Sequence, residues 1–507
     1  MLTTRMGLVR PSAIALCIVL WFSNAGFADD TRGNLAWAND DLRQPLVFQT
    51  TAHRAGDVAL NAASSSNAGV HDVEIDIEPL LTSSEFSAAS EWLAGSNTDL
   101  INNSSYLTGD DAHGEGCDCC GILGRFAARD LWKMPQPCLF QKLGIKTGGW
   151  VEAGLTLNSE HPADKYNGPV LANDRDREPQ LNELWLYFER AIDTGGCGFD
   201  IGGRVDIFYG TDWRVAQYHG FGLEDRINRG TSLYGFSPAQ FYMEVGVNKL
   251  SLKMGRMTGI LGYEIIPPVG NFFYSRSYAF SYAEPLLITG MMAKYPMSDR
   301  VTVLAGFHQG IHRFEDNNNV MNFQGGITWT SCDGRDSLAY AVDTGRNDAA
   351  AVEDEYVHSI VYKHQVSDRL LYVLQNDLGH RNNVAGLGGA DAEWYGINQY
   401  LLYTINPCWS AGIRAEWFRD DDGVIVLGLD NLPQGRGWTG APGYAGNFYE
   451  VTLGLNWTPN SSVSIRPEAR WDWYDGLTNA AGPYPLPYDD GTSRHQFTFA
   501  VDLIYTF

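Results

Sequence analysis

Arg466, Glu468, Arg470 and Asp472 stand at alternate positions near the C-terminal end of a 507-residue chain. Arg204 with Asp206, and Arg414 with Glu416, repeat the spacing. Residues two apart on an extended strand share a face. Each set therefore puts guanidinium and carboxylate groups side by side on one polar surface. Fixed charges of both signs beside a water-filled path set a field across it and bias which ions pass. The same residues also pair across strands and brace the wall, at about 0.2–1 kcal/mol per pair.

Signatures of catalysis are absent. The sequence holds no Gly-x-Ser-x-Gly elbow, no His-Glu-x-x-His helix and no glycine-rich phosphate loop. His308 and His312, four apart, fall on one side of a strand, but no carboxylate-rich setting surrounds them. Polar lining or a pore mouth is the expected role, not a metal site. Asp420-Asp421-Asp422 offers oxygen ligands to a hard cation, yet an acidic outer-loop tip accounts for the run more simply. No catalytic residue, cofactor or metal is expected.

Strands must hold these charges, and the chain alternates accordingly. Phe497, Phe499, Val501, Leu503, Tyr505 and Phe507 point one way; Thr498, Ala500, Asp502, Ile504 and Thr506 point the other. Val463–Trp473, Tyr449–Thr458, Phe241–Val247 and Trp409–Trp417 behave alike. One apolar and one mixed face suit a wall between lipid and a wet lumen. A soluble β-sandwich also alternates, but nothing in it calls for strands of about ten residues ending in Trp and Tyr. The mean hydropathy of −0.22 argues against a bundle of membrane helices. The 55 Gly, 15 Trp, 25 Tyr and 23 Phe suit tight turns and interfacial aromatic girdles.

Strands are expected near 148–158, 180–191, 199–210, 240–248, 250–262, 284–296, 301–312, 321–332, 337–344, 355–365, 370–380, 392–405, 409–419, 448–459, 463–474 and 496–507. Long links (159–179, 211–239, 263–283, 420–447, 475–495) alternate with short ones such as Asn248-Lys249 and Pro459 to Ser462. Short periplasmic turns and long outer loops are the rhythm of bacterial barrels. The expected fold is thus all-β: a transmembrane antiparallel barrel of about 16 strands over 148–507, in the outer membrane.

The first 28 residues read as a signal peptide: Arg5 and Arg10, an apolar Ala13–Phe22, then Gly26 and Ala28 before the cut. Cleavage there takes the formal charge from −24 to −26, leaving 34 basic against 60 acidic side chains. Such acidity repels phosphate and makes nucleic acid an improbable partner. Together with Asp420–Asp422 and Asp489-Asp490 it suggests a modest preference for cations, which lining arginines oppose. Residues 29–147 read as a largely flexible periplasmic segment with one amphipathic helix near Ser84–Ala94. Seven cysteines remain: Cys117, Cys119, Cys120, Cys138, Cys197, Cys332 and Cys408. The last three fall at short turns, so disulfides near the periplasmic rim are expected, with one thiol left over.

Several stretches resemble the OmpL-like β-barrel porins: Gly148-Gly-Trp-Val-Glu-Ala-Gly154, Gly203-Arg-Val-Asp-Ile-Phe-Tyr-Gly210, Gly270-Asn-Phe-Phe-Tyr-Ser275, Thr328-Trp-Thr-Ser-Cys-Asp-Gly334, Glu393-Trp-Tyr-Gly-Ile-Asn-Gln-Tyr400 and Glu416-Trp-Phe-Arg-Asp-Asp-Asp-Gly423. The resemblance spans about 148–507 and implies a passive outer-membrane pore for small hydrophilic solutes or ions. It carries over no substrate. A sealed or plugged barrel, with 29–147 as the plug, and a barrel enzyme stay open beside it.

The link 263–283 carries seven aromatic residues, more apolar surface than an outer loop in water has reason to show. In layout the chain is similar to general diffusion porins, whose corresponding loop folds inward. Here that would put Glu264 and Arg276 at the constriction; docking on a neighbouring subunit of a homo-oligomer is the alternative. The remaining partners expected are outer-membrane lipid, and the barrel-assembly machinery through the last strand and Phe507.

Overall fold

A computed structural model describes residues 131–216, 226–228, 233–316, 318–426, 443–478 and 485–507. The expected signal peptide, the helix near 84–94 and Cys117, Cys119 and Cys120 lie outside them.

Sixteen strands follow one another in the chain: β1 (Lys146–Asn158), β2 (Gln180–Arg190), β3 (Phe199–Gly210), β4 (Gly235–Val247), β5 (Leu250–Thr258), β6 (Leu287–Ser298), β7 (Val301–Ile311), β8 (Asn322–Thr330), β9 (Asp336–Arg346), β10 (Asp354–Ser367), β11 (Leu370–Val384), β12 (Ala390–Asn406), β13 (Trp409–Asp420), β14 (Gly446–Asn460), β15 (Val463–Gly476) and β16 (His495–Thr506). Each pairs antiparallel with the next, and β16 pairs with β1 to close the barrel. The closure runs to the last residue, where Phe507 and Gly149 exchange two backbone hydrogen bonds.

Alternation sets the wall. On β16 the outward Phe497, Phe499 and Leu503 are exposed, and the inward Thr498, Ala500, Asp502 and Ile504 are buried. Outward aromatics gather at both rims. Trp409 stacks on its cross-strand partner Trp457 at 6.0 Å beside the short turns. Tyr449 stacks on Trp473 at 5.1 Å beside the long loops. Two such belts match the two interfaces of a bilayer.

Several boundaries differ from the expected ones. β4 begins at Gly235, five residues earlier than the alternation suggests, because pairing passes over Pro238, which has no N–H, and shifts register between Asp206 and Phe208. β5 stops at Thr258 and β6 starts at Leu287, so the aromatic loop is 259–286. β6 runs on to Ser298 and β10 to Ser367, each two residues past its expected end. Before the barrel, a short helix, α1 (Cys138–Leu143), ends at Gly144 with φ of 68°. The stretch around it follows the rim: Trp132 sits 5.5 Å from Phe507, and Phe140 lies 6.1 Å from Phe188.

No disulfide joins Cys138, Cys197, Cys332 and Cys408 to one another. The expected rim clustering is there, since Cys197, Cys332 and Cys408 all sit in short turns, but bonds among these four are not. The three turns are too far apart around the rim: at least four strands, about 4.8 Å apart, lie between any two of them, beyond the reach of an S–S bond.

Candidate functional site

The loop 259–286 folds into the barrel, where the wall covers its apolar side chains. Ile266, Phe273, Tyr274, Tyr278, Ala279 and Phe280 are all buried. Pro267 leads into a 3-10 turn at Pro268–Gly270, and a single π turn spans Ala279–Ala283. The wall is shaped to receive these rings. A Cβ on inward-facing Gly154 would lie 2.5 Å from Tyr274, on Gly412 2.5 Å from Phe272, and on Gly454 2.9 Å from Phe273. Gly412 and Gly454 are direct cross-strand partners, so their missing side chains form one recess.

The alternating charges meet the loop's main chain. Arg414 bonds Glu450 at 2.5 Å, and also donates to Glu264 at 2.7 Å and to the Ser275 carbonyl at 2.8 Å. Arg466 bonds Asp502 at 2.5 Å and Glu152 at 2.9 Å, and donates to the carbonyls of Pro268 at 3.0 Å and Asn271 at 2.7 Å. Arg470 pairs with Asp472 at 2.7 Å and donates to the Arg276 carbonyl at 2.6 Å. Between the arginines, carboxylates accept loop N–H groups. Glu468 takes those of Tyr274 and Ser275 at 2.9 and 3.1 Å; Glu416 takes those of Tyr278 and Ala279 at 2.6 and 2.8 Å. Arginines thus satisfy loop carbonyls and glutamates satisfy loop amides, with charge-assisted bonds throughout.

All eight charges singled out in the sequence face inward and are buried. Six meet the loop, Asp472 through the Tyr278 hydroxyl at 2.8 Å. Arg204 and Asp206 instead pair with each other at 2.8 Å, beside Glu189 and Gln240. Within the loop, Glu264 also accepts the Ser277 N–H at 2.8 Å, and Arg276 donates to the carbonyls of Ile266, Phe273 and Tyr274. Burial works against ionisation of Glu264. The Arg414 and Arg276 guanidiniums and the Ser277 amide outweigh it and hold the carboxyl below its ordinary value.

Other long loops converge above this level. A buried ion pair at 2.8 Å joins Asp174 to Arg214, in the loops after β1 and β3. Asp490 accepts the N–H groups of Ala163 and Asp164, tying the loop after β15 to that after β1. Val170, Tyr278, Val426, Tyr444 and Tyr488 share one apolar cluster.

Two expectations are corrected here. Asp420 is no exposed loop tip: it is buried and caps the N–H groups of Val424, Ile425 and Val426. His308 and His312 do not share a strand face, because β7 ends at Ile311 and His312 turns away with φ of 53°. His308 is inward, buried, and 2.8 Å from Asp343.

Sequence reading missed the carboxylates that complete the ladder: Glu152, Glu450 and Asp502. Each stands at an inward position of its alternating strand, so the signal existed, but neighbouring arginines on other strands gave it meaning. It also missed Glu284, which accepts from Gln375 at 2.7 Å in a pair with Asp377.

The family model described as putative beta-barrel porin-2, OmpL-like, matches residues 144–507. Among solved structures, the anion-selective porin from Comamonas acidovorans aligns with a TM-score of 0.49 at 10% identity, over 72% of this chain and 99% of that one. OprB of Pseudomonas putida gives 0.46 at 11%, over 73% and 96%. The outer membrane channel DcaP of Acinetobacter baumannii gives 0.43 at 12%, over 72% and 97%. No curated protein matches the sequence.

Proposed function

Since the chain belongs to the OmpL-like β-barrel porin family and is an outer-membrane porin channel, we propose that it passes small hydrophilic solutes or ions passively through a lumen narrowed by the loop 263–283. The observation that carries this reading is the ladder of Arg414, Glu416, Arg466, Glu468, Arg470 and Asp472 bonded along that loop's main chain. The loop reaches further round the wall as well: the Lys363 ammonium on β10 lies 5.2 Å from the Tyr263 ring, and Gln375 on β11 accepts the Tyr263 N–H at 3.0 Å. Glu264 and Arg276 sit on the loop that makes the narrowing.

The short turns face the periplasm, and the long loops face outward. A cleaved signal peptide over 1–28 delivers the chain, and the β16 strand ending at Phe507 presents it to the assembly machinery. Cys117, Cys119 and Cys120 staple the preceding segment to rim cysteines; peptide mapping that finds every thiol free excludes this.

A second reading, a sealed barrel, has one observation in its favour. Arg204, Arg256, Arg414, Arg466 and Arg470 are each 2% exposed or less, drier than the lining of a wide channel. Reconstitution into a planar bilayer separates the two: a channel conducts in discrete steps, and a sealed barrel stays silent.

A further inference from the structure

Glu152 on β1 and Glu183 on β2 are direct cross-strand partners, and both are completely buried. Like charges placed opposite each other destabilise a sheet, and burial makes the cost larger. A third carboxylate joins them. Asp212, in the 3-10 turn Thr211–Arg214 that follows β3, is 7% exposed, and one oxygen from each of the three lies within 4.8 Å of the others.

The hydrogen bonds leave the centre of the cluster unfilled. Glu152 receives Arg466 on Oε1 at 2.9 Å, while its buried Oε2 has no partner. Glu183 receives the Trp150 indole N–H on Oε2 at 2.6 Å, while its buried Oε1 has no partner. Asp212 takes Asn182 and Thr211 on Oδ1, each at 3.1 Å. The guanidinium that reaches Glu152 is shared with Asp502 at 2.5 Å, and buried Arg276 is a second cation near the three; two guanidiniums facing four carboxylates still leave negative charge in excess. Two carboxylate oxygens, sealed from water and unpartnered, call for a positive charge between them.

The geometry points to a binding site for one hard divalent cation of the calcium type, held by Glu152, Glu183 and Asp212. Every donor is a carboxylate oxygen, with neither His nor Cys in the cluster, which suits calcium and not a softer transition metal. Bound there, the ion ties β1 and β2 to the start of the loop after β3. It also steadies the constriction at one remove: Asn182, which donates to Asp212, accepts the Tyr274 hydroxyl at 3.0 Å. The site is independent of whether the channel conducts.

The test uses the full chain refolded in detergent free of lipopolysaccharide, stripped with chelator and titrated with Ca²⁺, with Tb³⁺ as a luminescent probe. Trp150 touches a ligand and stacks on Trp185 at 4.9 Å, so Tb³⁺ in the site is sensitised through tryptophan. One Tb³⁺ per chain, displaced by Ca²⁺, and a rise in unfolding temperature with Ca²⁺ are expected. Glu183→Gln and Asp212→Asn should bind at least tenfold more weakly. Removing one charge relieves the repulsion, so stripped Glu183→Gln should be at least as heat-stable as the stripped parent and gain nothing from Ca²⁺. No binding by the parent, or equal binding and equal stabilisation in the variants, overturns the proposal. So does a stripped protein that loses stability as pH rises without responding to metal, since the carboxylates would then share a proton.

Discussion

Arg414 and Glu264 are 150 positions apart in sequence and meet at 2.7 Å, the arginine on the wall and the glutamate on the loop folded against it. The same guanidinium holds Glu450 on the neighbouring strand, so one side chain joins wall to wall and wall to loop. The consequences of that arrangement are open to measurement.

Glu264→Gln keeps the shape of the side chain and removes its charge. Arg414 retains Glu450, so the barrel should assemble, while the loop loses one charge-assisted bond, about 1.5–3 kcal/mol. Thermal unfolding should show that loss. A variant as stable as the parent would mean the contact does not hold the loop.

Gly454→Leu tests the recess. Its side chain would collide with the Phe273 ring, 2.9 Å from the position of a Cβ, and overpacking of this kind costs about 1–3 kcal/mol. Heat-modifiable mobility should persist, because the barrel still closes, while single-channel current becomes noisier as the loop is displaced. Unaltered current would place Phe273 elsewhere.

Asp174→Asn strands Arg214, buried to 4% exposure, without its counter-charge. Removing one partner of a buried pair costs about 3–5 kcal/mol. Unfolding followed by calorimetry should show a fall of that order, and Asp174→Leu with Arg214→Met should recover most of it. Equal losses in the single and double variants would contradict the pairing.

Two sets of carboxyls should make stability depend on pH in opposite directions. Burial raises Asp174, but Arg214 outweighs it and the value is lowered; Glu264 is lowered likewise. A lowered group stabilises above its unfolded value and loses that contribution as pH falls through its folded value, so acid should loosen the loops below about pH 4. Glu284 runs the other way. Burial, with Asp377 beside it, pushes it well above its ordinary value, so its contribution is full in acid and lost as pH rises. Unfolding temperature against pH should show both limbs, with Glu284→Gln flattening only the one that falls as pH rises.

The sixteen strands were legible because lipid outside and charge inside impose period two on every one of them. The inward loop was legible too, since seven aromatics have no place in water. What could not be read was partnership. Glu152 meets Arg466 and Glu183 because of strand register, and the register of β1 against β2 and β16 is fixed by the closed barrel, not by any local motif. Asp420 looked like a solvated charge because a cap and a loop tip have the same composition. β4 began early because a bulge hides behind Pro238.

The most direct test of the account is the single-channel conductance of a chain lacking 268–280, measured beside the parent in the same bilayer and salt. If the loop narrows the lumen, the deletion should assemble, conduct in discrete steps and carry several times the parent's current. An assembled deletion with the parent's conductance would contradict the claim that this loop sets the width of the pore.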